Sequence, residues 1–508
     1  MRAEQRWAGF AAGIGSRALR FLTTFLITTA CIRVFGSATW GIVVIAVTTT
    51  ELLLYADFAT PDLCALEAAR ANDYQQLRAR LGQALWLIIA PALLGALILL
   101  VAAELTPLWY GHAESERRTL SALLIACACG SPLVLVANCI GATLQGLGRL
   151  REMNSMHALS ALIELGLVVS LLALGFDAVH VQWARTAGQG VRLVCMLVAF
   201  MRLGLALPVP LPPDRSVLRE MASYCAELSV LKVIGNAIGR GTVPLGQRFT
   251  TTAIIGSYDV IDRLSSVLSR ASNPVADSLF QRYVRAFDAS ATDAQRDAGR
   301  RDFLAGTLFV SGISACATLV TVNLSRWLFP LWLGPSLAHD PIAFAPWIMA
   351  SWSLGMSVSM CGALLIALRR VRICNWVHVL ALIVTVTTIV TLGLHARASA
   401  LDGRYALLAG PLAGSIVIAL GLGFFACRST GVPLRQLGAL VGAVWAPAWL
   451  ALAATRLWPN PTVAALSTAL GLLGIGLVAA NNAAVRSLVR EFRTSGEYPA
   501  VRPSTQPP

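Results

Sequence analysis

Charge is what this sequence has least of. Only 13% of its 508 residues are Asp, Glu, Lys or Arg, against about 25% in soluble domains. Hydrophobic residues make up 56% and the mean hydropathy is +0.68, which excludes an ordinary soluble domain and points to a membrane protein. Lysine is nearly absent: of 40 basic residues only Lys232 is a lysine, which reads as coding bias rather than chemistry. No basic run lies beside the aromatic or Gly-rich modules of nucleic-acid binders, so the net charge of +14 does not imply nucleic acid. The 11 cysteines form no CxxC pair and mostly fall in apolar segments. Neither a disulfide framework nor a metal site is expected, and no cofactor. The first apolar segment is not followed by a small-residue cleavage site and a polar start, so a cleavable signal peptide is not expected. No loop is large enough to hold a catalytic domain.

What is abundant is the apolar run of about 20 residues, the length a helix needs to cross roughly 30 Å of hydrocarbon. Fourteen such segments recur: 9–32, 39–61, 83–103, 119–142, 155–175, 182–203, 223–245, 252–275, 303–325, 344–367, 374–394, 404–426, 437–456 and 462–482. The expected fold class is therefore an all-α polytopic membrane protein. With the amino terminus inside, twenty-four loop arginines fall on the cytoplasmic side and eight outside. The positive-inside rule then places both termini in the cytoplasm.

An internal repeat organises the spans. Residues 141–159, "GATLQGLGRLREMNSMHAL", match residues 362–380, "GALLIALRRVRICNWVHVL", at nine of nineteen positions without a gap. Chance likeness between Leu/Ala-rich helices explains the apolar matches but not the shared Arg-x-Arg-x-x-Asn-x-x-His frame. A weaker echo pairs "IRVFGSATWG" (32–41) with "QRFTTTAIIG" (247–256). The offsets, 221 and 215, both correspond to six spans, an even number, so the halves are parallel repeats of the kind that build transporters around a midplane site. The expected organisation is an N-terminal six-helix half (1–203), a C-terminal six-helix half (204–426), two additional spans (427–482) and a cytoplasmic tail of disordered composition (483–508). His157 and His378 match in the repeat and are read as structural, at helix starts near the cytoplasmic surface.

Charges inside spans are costly and normally face a bundle interior or a watery cavity. Eight are basic (Arg17, Arg20, Arg185, Arg192, Lys232, Arg240, Arg263, Arg270) and six acidic (Glu51, Asp57, Glu164, Glu227, Asp259, Asp262). Arg20 and Arg33 are separated by only about 20 Å of helix, too little to reach opposite surfaces. Arg17 and Arg20 share one helical face with Thr24 and Thr28; the bland alternative is that both snorkel to the cytoplasmic headgroups. Span seven repeats the design with Lys232, Asn236 and Arg240 at i, i+4, i+8. On span eight Asp259, Asp262, Ser266 and Asn273 form a stripe, and Asp259 with Arg263 is an i, i+4 ion pair, which need only neutralise itself. Two facing helices lined with cations and hydroxyls suit an anion, and the arginine fork suits phosphate.

With these features the chain resembles the polysaccharide-repeat-unit (Wzx-type) flippases of bacterial envelopes, within the multidrug/oligosaccharidyl-lipid/polysaccharide exporter superfamily. The passages "CIRVFGSATWGIVVIA" (31–46), "IIGSYDVIDRLSSVLSRASNPV" (254–275) and "LFPLWLG" (328–334) carry the likeness. The resemblance implies a non-enzymatic, multi-pass protein of the bacterial inner membrane. Its implied task is to flip an undecaprenyl-diphosphate-linked oligosaccharide to the outer leaflet by alternating access, for exopolysaccharide, capsule or O-antigen synthesis. Implied partners are that lipid-linked substrate, membrane lipids, and the polysaccharide polymerase and export machinery. The diphosphate-binding candidates are Arg17, Arg20, Lys232, Asn236 and Arg240; Asp57, Asp259, Asp262 and Arg263 are candidates for ion coupling or cavity pairing. Two rivals share the fold: a cation-coupled multidrug or metabolite exporter and a peptidoglycan-precursor flippase. A membrane-embedded glycosyltransferase or polymerase needs acidic residues in a sizeable outer loop. Here the longest, about 326–343, offers only His339 and Asp340 as an obvious titratable pair.

Overall fold

Long apolar runs leave a backbone one way to satisfy its own N–H and C=O groups in lipid without closing a barrel, which is the helix. A computed structural model describes residues 3–54, 60–70, 74–111, 113–147, 149–202, 215–269, 273–287, 291–399 and 403–482. Over these residues the chain is all-helical, with no strand. The helices are α1 (Ala3–Leu54), α2 (Thr60–Arg70), α3 (Tyr74–Glu104), α4 (Thr106–Trp109), α5 (Glu114–Gly146) and α6 (Leu150–Ala173). There follow α7 (Ala178–Arg202), α8 (Arg215–Gly239), α9 (Thr242–Gly246), α10 (Thr252–Ser269), α11 (Asn273–Ala286) and α12 (Asp293–Leu333). The last are α13 (His339–Ser357), α14 (Ser359–Ala367), α15 (Val371–Ser399), α16 (Arg404–Thr430), α17 (Leu434–Leu457) and α18 (Pro461–Asn481).

Among the described residues ten helices are long and apolar enough to cross a membrane. In their described residues the fourteen sequence segments lie mainly on helix, with a break at 240–241 inside the segment 223–245. The first two share α1, where Gly36 adopts φ +79° and ψ 168°, a conformation open to glycine alone without strain, and turns the chain between them. The segment 344–367 is divided at Val358 into α13 and α14. Large side chains left outside the packing, among them Leu93, Leu97, Leu420, Leu450, Leu466 and Leu470, form an apolar coat that water would not tolerate on a monomer. The protein is a multi-pass membrane protein.

Helices α1, α3, α5, α6 and α7 pack on one another, with α2 against α5. Helices α8 and α10–α16 form a second group, and α17 and α18 pack together against α12. The main contact between the groups is α1 on α10, and two glycines make it. A Cβ on Gly41 would lie 1.8 Å from the Thr252 carbonyl oxygen; one on Gly256 would lie 2.2 Å from that of Ser37. Ser37 and Thr252, like Gly41 and Gly256, are 215 residues apart, so the contact is reciprocal under the offset of the sequence echo. The same end is latched by Arg33, whose guanidinium donates to the Leu331 and Trp332 carbonyls of α12. The Trp332 indole donates to Thr29 (2.6 Å) and stacks on Phe25.

Burial is distributed unevenly along the bundle. At the end bearing Gly36, Tyr110 and the turns 174–177 and 334–338, one hydrophobic core draws on both groups, from Ile32, Trp40 and Leu124 to Ile261, Phe344 and Leu407. At the opposite end the cores are separate. One is built from α2, α3, α5 and α7 with Met221 of α8, the other from α11–α17 with Ile475 of α18.

Candidate functional site

Where the two helix groups meet, α8 contributes the predicted basic face. Lys232 and Asn236 lie on α8, and Arg240 follows its last residue, its N–H still donating to the Asn236 carbonyl (2.7 Å). The i, i+4, i+8 spacing places the three on one side of the helix. Asn236 turns its amide back onto the Lys232 carbonyl (2.7 Å). Lys232 donates to Asp62 at the start of α2. Arg240 gathers three carboxylates: its Nε is 3.1 Å from Glu51 Oε2, its Nη1 2.6 Å from Asp262 Oδ2 and 3.9 Å from Asp259 Oδ1.

Helix α10 supplies the rest of the cluster. One turn apart, Arg263 Nε lies 2.5 Å from Asp259 Oδ2. Two tryptophans complete the shell: the Trp40 indole donates to Asp259 (3.2 Å) and the Trp352 indole to Asp262 (3.0 Å). The Arg263 guanidinium also sits 5.6 Å from the centre of the Trp40 ring, a cation–π contact. The carboxylates differ in burial: the side chains of Asp259 and Asp262 are 1% and 4% exposed, those of Glu51 and Asp62 30% and 46%.

The described basic groups thus form no bare cationic wall. Lys232, Arg240 and Arg263 each face a carboxylate, and the four acids outnumber the three bases. Arg17 and Arg20 lie on α1, but their side chains, and all of Asp57, are outside the described residues. Sequence reasoning did not single out Asp62, Trp40 or Trp352 as site residues. Asp62 reads as the start of a loop, and nothing in an apolar run marks one tryptophan as an indole donor to a buried acid.

A second polar site lies wholly within the first helix group. A cavity of ≈ 160 Å³ is lined by Thr23 and Thr24 of α1, His157 and Glu164 of α6, and Gln189 and Arg192 of α7, with Ser160 beside them. Glu164 pairs with Arg185 (3.4 Å), and Arg192 donates to Asn138 (2.7 Å). His157, expected near the surface, is buried at 7% exposure on this cavity. Its repeat partner His378 donates from Nδ1 to the Cys374 carbonyl (2.8 Å). Most of the expected outer loop 326–343 is helix, the end of α12 and the start of α13, and there His339 is 3.4 Å from Asp340 and 86% exposed, a solvated surface pair that also faces Arg404.

No family model matches the chain, and no curated protein matches it significantly. Solved structures do. The lipid II flippase MurJ, in an inward closed conformation, superposes with a TM-score of 0.71 at 8% identity, over 95% of this chain and 100% of that one. The eukaryotic MATE transporter AtDTX14 gives 0.63 at 13% identity, covering 86% and 99%. An inward-facing multidrug resistance MATE family transporter of the MOP superfamily gives 0.63 at 13% identity, covering 84% and 99%. These likenesses are of fold: the chain shares the helical architecture of these transporter and flippase structures.

Proposed function

We propose that this protein flips an undecaprenyl-diphosphate-linked oligosaccharide from the inner to the outer leaflet of the bacterial inner membrane, in the synthesis of exopolysaccharide, capsule or O-antigen. The observation that carries the reading is the α8 face, where Lys232 and Arg240 stand at the junction of two helix groups. A lysine and an arginine inside a membrane protein are matched to a phosphate-bearing headgroup, which loses its water as it crosses. A shared core at one end and separate cores at the other fit an inward-facing state of alternating access, with fourteen crossings and both termini in the cytoplasm. The diphosphate and sugars pass between the halves while the polyprenyl tail stays in lipid. Arg17 and Arg20 complete the grip from the first span. The fold is also used by a lipid II flippase, so a diphosphate-linked lipid is a cargo this architecture can accommodate. Polymerase and export machinery would receive the product.

The test is genetic and chemical. In a strain lacking the gene, the wild-type chain restores surface polymer. An Arg17→Ala/Arg20→Ala variant inserts normally but restores none, and the lipid-linked repeat unit accumulates. Unchanged polymer would overturn the reading.

A second reading has one observation behind it, the excess of acids in the cluster, where Glu51, Asp259 and Asp262 surround Arg240 and Arg263. An acidic excess suits a cation-coupled exporter of small molecules. That reading expects drug-resistance phenotypes and loss of proton- or sodium-dependent efflux in proteoliposomes on Asp262→Asn.

A further inference from the structure

The acids that neutralise the α8 face are of two kinds. Asp259 and Asp262 are almost wholly buried, each held by a tryptophan N–H and by arginine. A carboxylate released there has no water to return to, so it stays where it is. Asp62 and Glu51 are different. Their side chains are 46% and 30% exposed, both come from the first helix group, and each meets a cation of α8 across the junction. The Lys232–Asp62 pair, exposed on both sides, is weakly held, and Glu51, which shares Arg240 with Asp262, is the more exposed of that cation's partners.

We infer that Asp62 and Glu51 are displaceable counter-anions, which hold Lys232 and Arg240 in the empty protein and yield them to the anionic headgroup of the cargo. This rests on the diphosphate reading above. A diphosphate carries more charge and more acceptor oxygens than one carboxylate, and it matches the guanidinium fork. Lys232 and Arg240 are eight residues apart, about 12 Å along the helix, and form two stations. Lys232, 36% exposed against 15% for Arg240, exchanges first. Because both pairs bridge the two helix groups, exchange cuts the polar ties between α8 and the α1–α2 region as the cargo binds. Loading and loosening of that end are therefore one event. A ligand shifts such an equilibrium only through its different affinity for the two states, and the counter-anions supply that difference.

The experiment measures binding of farnesyl diphosphate to the purified full-length chain in detergent, with farnesol as the uncharged control. Asp62→Asn removes the competitor without changing size, and is expected to tighten farnesyl diphosphate binding about two- to fivefold, the range an exposed ion pair allows. Glu51→Gln acts in the same direction. Asp62→Glu keeps the pair and binds as wild type does, and Asp62→Asn/Lys232→Ala loses the gain; farnesol binding is unchanged throughout. If wild type binds farnesyl diphosphate and the Asp62→Asn and Glu51→Gln variants bind it equally or less tightly, the exchange is wrong and the diphosphate reading stands. If no form binds it beyond farnesol, the diphosphate reading falls and the exchange falls with it.

Discussion

Arg240 is the residue at which three carboxylates from two helices converge, and the cluster around it behaves as one unit. Removing Asp259 takes away the carboxylate that Arg263 pairs with, and a buried charge left without its partner costs more than the pair contributes. Asp259→Ala strands Arg263 beside Trp40. We expect a loss of about 3–5 kcal/mol, read as a lower unfolding temperature in detergent, and a smaller loss when Arg263→Met is added. Outside the membrane, Asp177 accepts from the His180 N–H (3.0 Å) and lies 2.7 Å from its ring at the start of α7. The backbone hydrogen bond from His180, chiefly, holds this carboxyl below the usual range. A depressed carboxylate stabilises the fold above its unfolded pKa and loses that contribution as pH falls through the folded value. Asp177→Asn should therefore flatten the acid limb of the thermal-stability profile, visible as a smaller drop in Tm below pH 4 than in wild type. At this scale the basic face of α8 was legible because helical spacing alone puts Lys232, Asn236 and Arg240 together. Their partners were not: Asp62 lies 170 residues from Lys232 and Trp352 90 residues from Asp262, and only folding joins them.

Between elements, the seam of α1 and α10 depends on the absence of two side chains. A methyl group at Gly41 or Gly256 would enter the carbonyl of the opposite helix, and the backbone, unlike a side chain, cannot rotate away. Gly41→Ala and Gly256→Ala should each wedge the same seam. Thiol reagents that cannot cross the membrane should then reach a cysteine placed at Ser37 or Thr252 in either variant, and not in the parent protein. Reactivity unchanged in both would show that the seam does not close as described. The echo between 32–41 and 247–256 is visible in the amino-acid order, but its physical content is not. Matching letters mark where the two repeats touch only once the helices are seen crossing there. The reading of α1 as two spans has a simpler origin, since an apolar stretch of that length exceeds one bilayer crossing.

Across the whole molecule, the apolar runs were readable because each crossing needs its own 20 or so residues, whatever it packs against. Which runs share a core is set by side chains from distant helices and leaves no trace in hydropathy. Helices α17 and α18 illustrate the difference: the sequence places them after the two expected halves, and in the fold they cover α12. Asn323 donates to Thr468 (3.2 Å), and Gly471 lets Leu319 approach. A chain ending after Gly431 should still insert, but with α12 uncovered it should unfold at a lower temperature in detergent, by fluorescence-detected size exclusion. Equal thermal stability would mean that the two helices serve another purpose.

The solitary lysine has a practical consequence. Because Lys232 is the only side-chain amine in 508 residues, and it stands in an ion pair at the junction, an acylating reagent meets no competing lysine. The fraction of one peptide left without the mass shift would count the molecules whose ammonium is engaged. The protein carries its own occupancy gauge, needing no engineered label.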